Sequence, residues 1–76
     1  MAEQTPYTEQ AKNILKAELK RRAVSYRQLA EALDRIGLQE SERNIANKIS
    51  RGTFTAAFFL QCLDAIGVQS ITITND

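Results

Sequence analysis

A chain of 76 residues, 43% hydrophobic and 25% charged, is expected to form one globular domain with a thin core, a composition that excludes intrinsic disorder. It has no histidine, a single cysteine (Cys62) and only three glycines, Gly37, Gly52 and Gly67. That removes the usual Ser-His and Cys-His nucleophile pairs, the commonest zinc ligand, an internal disulfide and the glycine-rich phosphate loops.

Enzyme chemistry is therefore not expected, nor is a cofactor, a metal or a small-molecule ligand. No run approaches the ~18 consecutive apolar residues of a membrane helix. The opening MAEQTPYTEQ lacks the basic and apolar regions of a signal peptide, so a cytoplasmic location is expected. The formal charge is only +1, yet all ten lysines and arginines lie within residues 12–51. Five acids share that window (Glu18, Glu31, Asp34, Glu40, Glu42), leaving an excess of +5, while the flanks carry Glu3, Glu9, Asp64 and Asp76 and no base. A basic middle of this kind suits a polyanionic partner.

Residues 1–6 are expected to be a flexible lead. The first helix should start at Tyr7 or Thr8 and run to about Arg22, with Tyr7, Ala11, Ile14, Leu15 and Leu19 on one stripe at helical spacing. Lys12, Lys16 and Lys20 form a separate row, and Arg21 and Arg22 sit in the last turn, where the helix dipole favours cations. Ser25 followed by Gln28 has the form of a capping box that opens the second helix, with Val24 as half of a hydrophobic staple. Tyr26, Leu29, Ala30, Leu33 and Ile36 make its inner face, and Gly37 ends it.

The third helix should cover residues 41–50, in the stretch SERNIANKISRG. Arg43, Asn44, Asn47, Lys48 and Arg51 fall within an arc of ~140° at 100° per residue, with Ile45, Ala46 and Ile49 opposite. In TFTAAFFLQCLDAIG, Thr55 or Thr53 caps a fourth helix and Gly67 ends it. Its apolar residues, Phe58, Phe59, Leu60, Cys62, Leu63 and Ile66 among them, cover more than half of its circumference. It is therefore central to the fold or partly covered by a second chain, with Cys62 a core residue. Residues 69–76 change period: Ile71 and Ile73 alternate with polar residues, most of them β-branched, which is strand chemistry. No other segment reads as a strand, so the tail is expected either to pair with its copy across a two-fold axis or to lay Ile71 and Ile73 on the helices.

The expected fold is thus all-α, four compact helices over residues 7–68 with a short C-terminal strand. Over residues 19–68 the order of motifs resembles the helix-turn-helix domain of the lambda-repressor/Cro (Xre-like) family. Ser25, Leu29, Ala30 and Leu33 match its S-x-x-x-L-A-x-x-L helix. Lys48, Ile49, Arg51 and Gly52 match its K-I-x-R-G ending, and Ala65, Ile66, Gly67 and Val68 its A-L-G-V close. Two positions depart from it: Tyr26 stands where the family often has glutamine, and Asp34, Arg35 and Ile36 intervene before the turn glycine. The extra residues change how the third helix projects from the second. The words ANKISRG and AAFFLQCL also resemble a group of small bacterial proteins described as a domain of unknown function, a likeness that implies no activity.

The helix-turn-helix resemblance implies double-stranded DNA as partner and a homodimeric regulator of transcription. Arg43, Asn44, Asn47 and Lys48 would meet base edges, and Ser25, Tyr26, Arg27, Arg51 and Thr53 would meet backbone phosphates. DNA binding in that manner requires Arg43, Asn47 and Lys48 to be exposed and to point away from the fourth helix. The dimer would use Phe58, Phe59, Ile71 and Ile73. The alternative is a protein-interaction module of the antitoxin or accessory-subunit type, built on the same helices without DNA binding.

Overall fold

The computed structural model describes residues 6–73. Four helices follow in order: α1 (Pro6–Arg21), α2 (Tyr26–Arg35), α3 (Glu42–Arg51) and α4 (Ala56–Ala65). α1 and α2 each pack against both α3 and α4, whereas the backbones of α1 and α2 stay apart, as do those of α3 and α4, which meet through side chains such as Lys48 and Phe58. No helix among the described residues is long and apolar enough to cross a membrane.

Each start has a chemical cause. Pro6 opens α1, where a fixed φ and a missing N–H cost nothing. At α2 the capping box is complete: the Gln28 N–H donates to Ser25 Oγ at 3.1 Å, and the Ser25 N–H donates to Gln28 Oε1 at 2.9 Å. Ser41 Oγ accepts from the Asn44 N–H at 3.1 Å to cap α3, and Thr55, not Thr53, caps α4 by accepting from Phe58 at 3.0 Å.

Three of the four ends share one device. Val24, Leu38 and Val68 each donate an N–H back to Leu19, Leu33 and Leu63, all at 2.9 Å. Ala23, Gly37 and Gly67 donate to Lys20, Asp34 and Asp64. This is the Schellman arrangement, and in every case the accepting leucine is buried and the donating residue packs on the core. Two of the three ends are near copies in sequence, LDRIGLQ from residue 33 and LDAIGVQ from residue 63. The third places an alanine where the others use glycine: Ala23 has φ +56°. A left-handed alanine costs about 1–2 kcal/mol, part of which glycine forfeits in unfolded-chain entropy. Ala23→Gly is expected to stabilise the fold by roughly 0.5–1 kcal/mol and to raise Tm by about 3–6 °C in a calorimetric scan.

The core is Leu15 and Leu19 of α1, Leu29 and Leu33 of α2, Ile45 and Ile49 of α3, and Phe58, Cys62 and Leu63 of α4. The expected α1 stripe needs correction at its start. Tyr7 is 79% exposed even though the backbone of the neighbouring Thr8 lies against Gly52 at the end of α3, so within the stripe only Leu15 and Leu19 are buried. Ile36 is also exposed; it is the cap of α2 and not a member of its inner face. Glu18 is the one charged residue buried among the described residues, beside Arg21 at 2.7 Å and Arg22 at 3.8 Å. Arg22 also donates to the Ile66 carbonyl at 3.4 Å, which links the ends of α1 and α4.

The expected C-terminal strand is not formed: no strand occurs among the described residues, and residues 69–73 carry no regular structure. Ile71 instead packs on the core while Ile73 stays exposed, so one of the two isoleucines docks. Burying an apolar side chain on a ready helical surface needs no ladder partner, whereas a lone strand leaves its backbone groups unpaired. The strand-like expectation for residues 74–76 lies outside the described residues.

Gly52 ends α3 with φ +71° and is buried against the first turn of α1. A Cβ at this position would lie 2.6 Å from the Thr8 carbonyl oxygen. Only glycine meets both requirements, and the contact fixes where the end of α3 sits against α1.

Candidate nucleic-acid interface

α3 has two faces that share no residue type. Ile45 and Ile49 are fully buried, which fixes the helix's rotation about its axis. Arg43, Asn44, Asn47 and Arg51 are consequently exposed on the opposite side. Asn44 uses its backbone N–H in the Ser41 cap and keeps its side chain on the outer face. Of the three residues required to be exposed, Arg43 and Asn47 are so, and Asn44 is exposed beside them.

Lys48 keeps part of its side chain exposed but does not point away from α4. It lies on the flank of the polar arc, where its ammonium sits 2.6 Å from the Glu40 carboxylate and 4.7 Å above the Phe58 ring of α4. Its side chain is 43% exposed and that of Glu40 only 14%. The expectation that Lys48 points away from α4 is therefore corrected: a partly buried carboxylate and an aromatic face draw it inward. The sequence held no signal for this contact. Glu40 is eight residues from Lys48, across the α2–α3 connection, a separation that no helical spacing rule covers.

The residues expected at phosphates divide by exposure. Ser25, Arg27, Arg51 and Thr53 are exposed, while Tyr26 is half-buried and packs on the core. The Ser25 hydroxyl already accepts a backbone N–H. Arg27 faces Glu31 at 4.0 Å, both widely exposed, a pair too loose and too wet to hold the guanidinium. Lys48, Arg51, Thr53, Phe54, Thr55 and Phe58 line a cavity of about 200 Å³ between the end of α3 and the start of α4.

The residues expected in a dimer contact are placed differently from one another. Phe58 is buried within the single chain. Phe59 is half-buried and stacks on Phe54, ring centroids 5.8 Å apart at 5°, while Phe54 meets Phe58 at 5.9 Å and 54°. Ile71 is half-buried and Ile73 is exposed. Leu60 was expected in the apolar arc of α4, but it is 63% exposed because α4 is covered by α1 and α2 only on its other sides. Cys62 is a core residue: burial pushes its thiol up to about 12, with Lys48 nearby pulling down and Glu40 pushing up. A thiol so placed carries almost no thiolate at neutral pH.

Residues 7–71, nearly all of the described chain, match the family described as domain of unknown function DUF6471. The chain belongs to the DUF6471 family. The match runs from the first turn of α1 to Ile71, so it takes in all four helices and the docked isoleucine that follows them. No curated protein matches the chain, and no solved structure does. In this DUF6471 domain the outer face of α3 is the surface that combines an arginine with two asparagines on a rotationally fixed helix.

Proposed function

We propose that this DUF6471 domain is a sequence-specific DNA-binding protein, a small regulator of transcription with no enzyme activity. In this proposal α2 and α3 act as a helix-turn-helix pair and α3 enters the major groove. The observation that carries it is the division of α3: Ile45 and Ile49 wholly inside, Arg43, Asn44 and Asn47 wholly outside. Asparagine can pair through two hydrogen bonds with adenine, and arginine with guanine O6 and N7. Arg51, Arg27 and Thr53 then serve backbone phosphates, which fix position without reading sequence.

The domain is proposed to act as a homodimer. With a net charge of +1 and few phosphate contacts, one copy binds weakly at physiological salt, and a second half-site makes up the difference. Leu60 and Ile73, large apolar residues left exposed, favour such a contact more than the internal Phe58 does. A second reading has its own observation. Exposure of Leu60 on α4, together with a Lys48 turned inward to Glu40, suits a surface that docks another protein without DNA.

A ¹⁵N amide titration with a random-sequence duplex, at low and at raised salt, separates the two. Salt-sensitive shifts are expected at residues 25–28 and 43–53. Their absence, under conditions where non-specific binding at ~10⁻⁴–10⁻⁶ M is visible, sinks DNA binding in favour of the protein-interaction module.

A further inference from the structure

Glu40 is the last residue before the Ser41 cap of α3, and its side chain is nearly enclosed. Its carboxylate holds Lys48 at 2.6 Å, the shorter of the two contacts that turn this ammonium off the outer face; the Phe58 ring at 4.7 Å is the other. Lys48 sits one residue after Asn47 and three before Arg51 on α3. Swung outward, it would join the flank of the arginine and asparagine face. From that flank a lysine, a compact point charge on a flexible stem, reaches a phosphate more readily than a base edge.

We propose that Glu40 is a positioning residue that competes with the DNA backbone for Lys48, and so sets how many phosphates this face can hold. The proposal rests on the DNA-binding reading above. A phosphate must displace the carboxylate before it gains the lysine, so the wild-type protein binds with one fewer phosphate contact than its cations allow. The competition acts alike on all sequences. It therefore lowers affinity for random DNA without altering base choice, and it weakens the dependence of binding on salt.

The test is fluorescence anisotropy with a random-sequence duplex from 50 to 200 mM salt, using the wild-type chain, Glu40→Gln, Lys48→Gln and the double variant. Thermal melts establish that each is folded. Should Glu40→Gln fail to fold, Glu40→Met, which keeps an unbranched side chain in the nearly enclosed site, replaces it. Glu40→Gln is expected to bind about three- to tenfold more tightly than wild type. The slope of log K against log salt should steepen by about 0.9, the mark of one added phosphate contact. Both gains should vanish in the Lys48→Gln background.

An equal gain in that background would show only the loss of a generic negative charge and would overturn the proposal. So would wild-type binding that Glu40→Gln leaves unchanged or weakens, with DNA binding itself left standing. Binding by neither protein overturns the proposal and the DNA-binding reading together.

Discussion

Replacing Gly52 by alanine is expected to destabilise the domain by about 3 kcal/mol and to lower Tm by more than about 12 °C. Two independent costs meet at this residue. At φ +71° an alanine Cβ is strained against its own carbonyl, roughly 1–2 kcal/mol. The same Cβ would also stand 2.6 Å from the Thr8 carbonyl oxygen, so the end of α3 and the start of α1 must separate. The obstacle is backbone, which cannot rotate away as a side chain would. Gly37 supplies the control. It too has a positive φ, +91°, but a Cβ there meets nothing within 4 Å. Gly37→Ala should lose only the strain, offset in part by unfolded-chain entropy as at Ala23, for a net cost of about 0.5–1 kcal/mol. Equal losses at the two glycines in urea titrations would show that contact with Thr8 contributes nothing.

Leu33→Ala is expected to cost still more relative to the size of the core, about 3–4 kcal/mol. Leu33 is fully enclosed, on a helix that packs against both α3 and α4. A 76-residue fold commands only about 4–11 kcal/mol in total. The variant should therefore be visibly part-unfolded at 37 °C by far-ultraviolet circular dichroism, with its urea midpoint reduced accordingly. Tyr7→Ala, which removes more atoms from a residue that is almost wholly exposed, should change stability by less than about 0.5 kcal/mol. If the two variants were equally stable, the assignment of the core would be wrong.

Leu33 and Tyr7 also mark where the sequence is and is not legible. Local chemistry is written plainly. Ser25 with Gln28, Gly37, Gly52 and Gly67 announce helix ends through hydrogen-bond needs or backbone freedom that few other residues meet. Periodicity then places Leu29, Leu33, Ile45 and Ile49 inside.

Periodicity does not tell how far a neighbouring helix extends, so Tyr7 and Leu60 belong to apolar stripes and yet lie in the open. Ala23 bears no mark of its left-handed backbone, because alanine is the residue least expected there. The alternation of Ile71 and Ile73 with polar residues is a fair strand signal, but a strand needs a partner that the described chain does not supply, and one isoleucine found the helices instead. On the candidate site, the outer face of α3 could be read from spacing alone. The Glu40–Lys48 contact could not, since it depends on how the α2–α3 connection folds back.

The repeated helix endings bear on how this small protein opens. At three of its chain reversals an apolar residue, Val24, Leu38 or Val68, is both hydrogen-bonded to the helix just ended and packed on the core. A loop anchored in this way cannot loosen alone: freeing it breaks the last turn behind it and uncovers the leucine beneath. The amide protons of Val24, Leu38 and Val68, each bonded to the helix just ended, are therefore expected to exchange with solvent more slowly than those of the exposed residues that follow them. The three anchors tie each of these helix ends to the core, while the side chains on the outer face of α3 lie beyond their reach.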